Sequence, residues 1–198
     1  MRILCAVVKG AAKAVPSSAG MQRSLETSPM MASRIAEVVP RRLELVEAAI
    51  RARDFESFAA IAMAESDDLQ EICRTTTPPI QYATEDSYAM IRLIKAFNAK
   101  RGRNVLGYTF DAGANCFMFT LVQDLPEVVA MLMAHFPTDP EKFYFQEEHL
   151  ISACAQAKVP DGCANLIDYP KKSFEMLLES CVGSGVRQLG DEESLSKP

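Results

Sequence analysis

The chain has 198 residues, 48% of them hydrophobic, enough for one compact domain with a substantial core. A formal net charge of -5 excludes general nucleic-acid binding, which needs a broad basic surface, but leaves room for a small phosphorylated ligand held by a few N–H donors and cations. The six cysteines (Cys5, Cys73, Cys116, Cys154, Cys163, Cys181) form no C-x-x-C, and His135 and His149 stand apart from any ligand set, so neither a zinc site nor a disulfide framework is expected.

In chain order, Met1 to Val8 reads as a buried strand. Its apolar run is short and β-branched and leads into Lys9 and Lys13 without a cleavage site, which argues against a signal peptide. No stretch approaches the roughly 20 apolar residues that cross a bilayer, so a cytoplasmic protein without a membrane is expected. A small-residue loop, Gly10 to Val15, leads to Pro16-Ser17-Ser18-Ala19-Gly20, where hydroxyls before a helix-compatible run mark a helix start. Ser28-Pro29 starts a further segment, with Ser28 as cap and Pro29 at the first helical position.

Pro40 opens a helix with Leu43, Val46 and Ile50 on one face, expected to point to the core, and Arg41, Arg42, Glu44, Glu47 and Arg51 elsewhere. Asp54 caps the next helix, with Phe55, Phe58 and Ala62 inside. Thr75-Thr76-Thr77-Pro78-Pro79 breaks the helical pattern. A helix then runs from about Glu85 to Arg101, with Tyr88, Ile91, Ile94 and Phe97 as its stripe and Gly102 as a left-handed stop.

Two apolar strand-like runs follow, Val105 to Phe110 and Cys116 to Val122, and then an apolar helix from Asp124 to Phe136. From Thr138 to Asp168 the pattern weakens into sequence free to vary in length, with one possible helix at Glu147 to Lys158. Phe174 to Val182 is the last strand, ended by Gly183-Ser184-Gly185, and the tail from Gly190 to Pro198 is acidic, polar and expected to be disordered. The sum is an α+β layer arrangement, helices packed on an antiparallel sheet of about four strands.

Between the middle strands lies Tyr108-Thr109-Phe110-Asp111-Ala112-Gly113-Ala114-Asn115. A carboxylate at the mouth of a Gly-containing turn between apolar strands adds nothing to packing. Pattern alone leaves two readings: a turn in which Asp111 bonds its own backbone, or a chemical role.

This block resembles the YTFDAGPN signature of the diphosphomevalonate decarboxylases, of the GHMP kinase superfamily. Other blocks are similar to that family in the same order: the opening MRILCAVV; SSAGMQRSLETS with Ser17, Gly20, Met21, Ser24, Thr27 and Ser28; Phe55 to Ile80 with D-F-x-x-F, Ser66, Cys73 and Pro78-Pro79-Ile80; and the closing Val182-Gly183-Ser184-Gly185. Departures are Ala114 for the usual proline, Cys116 beyond Asn115, Asp67-Asp68-Leu69-Gln70 for S-N-x-x-H-A after the serine, and Val186-Arg187 near the end.

The resemblance implies a ferredoxin-like fold of the GHMP kinase C-terminal domain type over residues 1–189, followed by the tail 190–198. It implies Asp111 as the central catalytic carboxylate, and Ser17, Ser18, Gly20 and Met21 as the contacts of the substrate's diphosphate. The implied activity is ATP-dependent decarboxylation of 5-diphosphomevalonate to isopentenyl diphosphate. ATP and Mg2+ would be bound mainly by an N-terminal nucleotide-binding half that this chain lacks, with no metal ligands here, so the isolated chain is expected to be inactive. As a full-length enzyme the implied state is a homodimer. Two alternatives remain at this stage: a non-catalytic binding module derived from the enzyme, and another small-molecule kinase of the superfamily.

Overall fold

In a computed structural model, residues 1–8, 14–170, 172–188, 190 and 192 are described. The expected loop from Gly10 to Val15 and the polar tail from Gly190 fall largely outside them. Strand β1 (Arg2–Val7) occupies the middle of a five-stranded sheet of order β2-β3-β1-β5-β4. Its partners on both sides are antiparallel, β3 (Cys116–Thr120) with Leu4 opposite Met118, and β5 (Met176–Cys181) with Ala6 opposite Leu177. Leu4, Ala6, Cys116, Met118 and Leu177 are all fully buried, so the two-residue period of β1 and its neighbours points one face into the core. β2 (Leu106–Thr109) completes a hairpin with β3, Thr109 opposite Phe117.

The expected four-stranded antiparallel sheet needs one correction. A two-residue strand, β4 (Phe143–Tyr144), adds to the far edge parallel to β5. It follows a 3-10 turn at Pro140–Lys142 inside the weakly patterned stretch, and two residues are too short for a period to show.

Helices α5 (Glu85–Arg101) and α6 (Leu125–His135) join the buried sheet face in one core: Leu93, Ile94, Phe97, Val128, Val129 and Leu132 belong to the same cluster as Leu4 and Met118. Within α5, Tyr88 lies outside the buried stripe at 37% exposure, and Ala89, Met90 and Leu93 are inside it. Gly102 stops α5 with φ of 67°, as expected, and Thr84 and Ser87 form a reciprocal capping box at its start. His135, buried at the end of α6, bonds Met131 O through Nδ1 and accepts the Leu166 amide on Nε2, so this histidine is a core residue that ties down the following loop.

Helix α4 (Phe55–Thr75) begins at Asp54, whose carboxylate accepts the Ser57 amide, as the sequence led one to expect. It lies along the β2 edge. A side chain at Gly107 would meet Ala59 backbone at 3.2 Å, so the glycine permits close approach, and Phe58 packs edge-on to Phe119 at 5.4 Å.

The segment between α1 (Ser17–Thr27) and α4 departs from expectation. Pro29 lies in a turn whose Met30 amide reaches Ser28 Oγ, and helical backbone begins at α2 (Met31–Ser33). It continues through a π-helical turn, Arg34–Val38, into α3 (Val39–Ala52), so Pro40 sits inside a helical path and does not start one. Proline cannot donate, and its ring crowds the carbonyl four residues back; widening the turn so that the Val39 amide bonds Arg34 O relieves that conflict. Nor does α3 face the core. Leu43 and Ile50 are 56% and 59% exposed, because α3 packs mainly on α4 and leaves this face outside the contact. The short α7 (Glu148–Gln156) appears where a helix was expected.

Candidate active site

The β2–β3 hairpin ends in the loop 110–115, with Phe110 buried and Asp111 exposed. Three bonds hold this loop, each from a different element. Ser66 of α4, itself buried, accepts the Phe110 amide at 3.0 Å. Asn115 accepts the amide of Val8, just past β1, at 3.3 Å, and Ser87 in the first turn of α5 donates to Ala114 O at 3.3 Å. An exposed carboxylate therefore stands on a loop held at three points. Burial, and then the negative charge of Asp111, push the Cys5 thiol of β1 above its ordinary value.

Helix α1 starts at Ser17 with no side-chain cap on its first turn; Pro16 precedes it, and the first intrahelical bond runs from Gly20 N to Pro16 O at 2.9 Å. Ser17 and Ser18 are exposed and Gly20 is buried, while Met21 is 69% exposed. Gly20 has a steric reason to be glycine: a Cβ there would lie 2.1 Å from the Tyr82 hydroxyl, which also reaches Pro16 O at 3.4 Å. The Thr77 amide bonds Thr27 Oγ1 at 2.9 Å and Ser28 Oγ meets Thr75 Oγ1 at 2.9 Å, fixing the other end of α1 to the end of α4. A helix start without a side-chain cap among the described residues, with exposed hydroxyls and partial positive charge, suits an anion.

The connection from Thr76 to Ser87 touches both halves of this arrangement. Tyr82 packs on the start of α1, and Ser87 holds the loop that carries Asp111. Asp111, the Ser17-Ser18 helix start and Gly20 therefore border one stretch of chain at the end of the sheet where β1 finishes.

Sequence reasoning named candidate reacting groups but gave no role to the residues that hold them. The Thr84-x-x-Ser87 spacing, which forms a reciprocal cap in the structure, is the local signal that could have pointed to Ser87. Nothing local marks Ser66 or Tyr82 as partners of residues 44 positions ahead and 66 behind.

Among the described residues no group of three or more His, Cys, Asp or Glu could hold a metal ion. Gly183 and Gly185 are exposed, with open space where side chains would be, and no helix follows them among the described residues to cradle a phosphate. All six cysteines are free thiols, and no described helix is long and apolar enough to cross a membrane.

The family described as Mevalonate 5-diphosphate decarboxylase C-terminal domain matches residues 3–189. The diphosphomevalonate decarboxylase of Ganoderma lucidum is 38% identical over 201 aligned positions that cover 98% of this chain and 50% of that protein. The structure of the mevalonate diphosphate decarboxylase from Trypanosoma brucei superimposes with a TM-score of 0.94 at 62% identity, covering 99% of this chain and 52% of that one. A structure of MDDEF in complex with MVAPP, the ATP analogue AMPPCP and magnesium superimposes at 0.63 with 25% identity over 68% of this chain and 40% of that one. The chain spans about half the length of these relatives.

Proposed function

Because the chain belongs to the mevalonate 5-diphosphate decarboxylase C-terminal domain family, we propose that it supplies the acidic centre and part of the diphosphate seat of an enzyme that decarboxylates 5-diphosphomevalonate to isopentenyl diphosphate, consuming ATP. The observation that carries this reading is Asp111: an exposed carboxylate on a loop clamped from three sides, at the same end of the sheet as an uncapped, serine-bearing helix start.

The chemistry asks two things of these residues. A tertiary hydroxyl is a poor nucleophile, so a carboxylate within hydrogen-bond reach has to orient it and accept its proton. Asp111, an exposed carboxyl side chain on that loop, is suited to the task. The substrate's diphosphate must also be held so that the hydroxyl stays in reach, and the amides of the first turn of α1, with the Ser17 and Ser18 hydroxyls, offer donors for it. Gly20 lets Tyr82 close against that turn, and Met21 presents an apolar side chain beside it.

Binding of ATP and magnesium is assigned mainly to the half of the family's protein that this chain does not span. The relative captured with AMPPCP and magnesium supports a nucleotide requirement for the whole enzyme. The test is phosphate and carbon dioxide release from 5-diphosphomevalonate with ATP and Mg2+. The 198-residue chain alone is expected to give no turnover, and the protein containing both halves to turn over. Asp111→Asn in that longer protein should lower kcat by at least about a hundredfold. Robust turnover by the short chain, or by Asp111→Asn, refutes the assignment. Binding of 5-diphosphomevalonate without turnover in the longer protein would favour a non-catalytic module.

A further inference from the structure

β2 is the outer strand of the sheet, so its outward amides have no strand partner, and each one left buried and unpaired would be destabilising. Two buried side chains meet this need, one at each end of the strand. At the end far from Asp111, Asn98 of α5 is 6% exposed and accepts the Val105 and Leu106 amides at 3.0 and 3.1 Å while donating to Leu106 O at 2.7 Å. At the near end, Ser66 of α4 is 2% exposed and accepts the Phe110 amide at 3.0 Å.

The ladder between β2 and β3 closes at Thr109 and Phe117, so Phe110 is the first residue beyond it and Asp111 the second. The other two bonds to the loop, at Ala114 and Asn115, lie on the far side of Gly113. Ser66 thus supplies the anchor on the aspartate's own side of the turn. A serine in mid-helix commonly faces water or bonds back to its own helix, but Ser66 is turned inward to the strand end. The Phe110 ring, buried 6.0 Å from that of Tyr108, fixes the same residue from its side chain. Backbone bond and buried ring together leave the next residue little freedom.

We propose that Ser66 is a positioning residue, holding the strand end so that the Asp111 carboxylate stands where the substrate hydroxyl must meet it. This rests on the reading of Asp111 as the reacting carboxylate. Asn98 makes the same kind of clamp on the same strand but serves stability alone, which gives an internal control.

The 198-residue chain provides the first measurement, amide hydrogen exchange. In Ser66→Ala the Phe110 amide should exchange at least about tenfold faster while Val105 and Leu106 keep their protection; Asn98→Ala should reverse the pattern. Turnover in the protein carrying both halves is the second. There Ser66→Ala should lower kcat about 10- to 100-fold with KM for 5-diphosphomevalonate little changed, and Ser66→Thr, which keeps the hydroxyl, should restore most of it. Asn98→Ala should lower the melting temperature but keep kcat near wild type below its transition. If Ser66→Ala does not fold, Ser66→Cys keeps the volume with a poor acceptor and is expected to show the same loss. An unchanged kcat in Ser66→Ala beside an inactive Asp111→Asn overturns the positioning role alone, whereas an active Asp111→Asn overturns the reading beneath it.

Discussion

Helices α6 and α3 both carry apolar residues at helical spacing, yet Val128, Val129, Met131 and Leu132 of α6 are at most 1% exposed, whereas Leu43, Leu45 and Ile50 of α3 are 56%, 48% and 59% exposed. The difference comes from what each helix lies against. α6 faces a sheet and α5, and every apolar residue on its inner side meets another. α3 packs mainly on α4, with Ala49 buried, and is joined to it by ion pairs: Arg42 reaches Glu65 at 2.6 Å and Asp68 at 2.8 Å, and Arg34, at the π turn, also bonds Glu65. One region is held by removing apolar surface from water, the other to a large extent by charge-assisted hydrogen bonds.

The sharpest way to break that comparison is at Phe97, 1% exposed in the α5 layer of the core. Phe97→Ala should cost about 3–5 kcal/mol, measured by denaturant unfolding, because the transfer energy of the ring and the cavity it leaves add. A loss below about 1 kcal/mol would mean that the shared core is less tightly packed than its burial implies.

A smaller effect is expected from acid at the α3–α4 contact. Burial on its own would raise the Glu65 carboxyl, but hydrogen bonds from Arg34 and Arg42 outweigh it and hold the group below its ordinary value of 4.5. A carboxyl depressed on folding contributes stability that is present above its unfolded value and lost as pH falls through the folded one. Stability measured from about pH 5 downward should therefore decline with a component that Glu65→Gln lacks. Identical pH slopes in the two proteins would remove the electrostatic account of how α3 is attached.

The smallest change should come from Leu43→Ser, on the exposed side of α3, within about 0.5 kcal/mol of wild type by the same unfolding measurement. A loss several times larger would show that this face is covered in solution, and the contrast with α6 would disappear.

Much of the frame was legible because it rests on short-range rules. The Asp54 cap, the Gly102 stop, the β1 run and the two strands around Asp111 each depend on residues a few positions apart, and all stand where the pattern put them. The misreadings have a common origin. Periodicity around Leu43 and Ile50 identified an apolar face but carried no information about a partner for it. Pro40 was read as a start because a wider helical turn that tolerates proline leaves no local mark. β4 has two residues and exists only because β5, more than thirty positions later, lies beside it. At the candidate site the carboxylate and the serine-bearing helix start stood out by residue type, while Ser66, Ser87 and Tyr82 acquired roles only through distant neighbours.

The sequence by itself determined which family the chain belongs to: it set a carboxylate in a turn between apolar strands and hydroxyls ahead of a helix, and local backbone preferences place such groups without help from the rest of the molecule. Only the tertiary structure decided that these groups share one end of the sheet, that the amide before Asp111 is secured by a helix residue, and that α3 is left with an open apolar side. Those outcomes depend on which surfaces meet, and burial is a property of pairs of elements that no single stretch of chain contains.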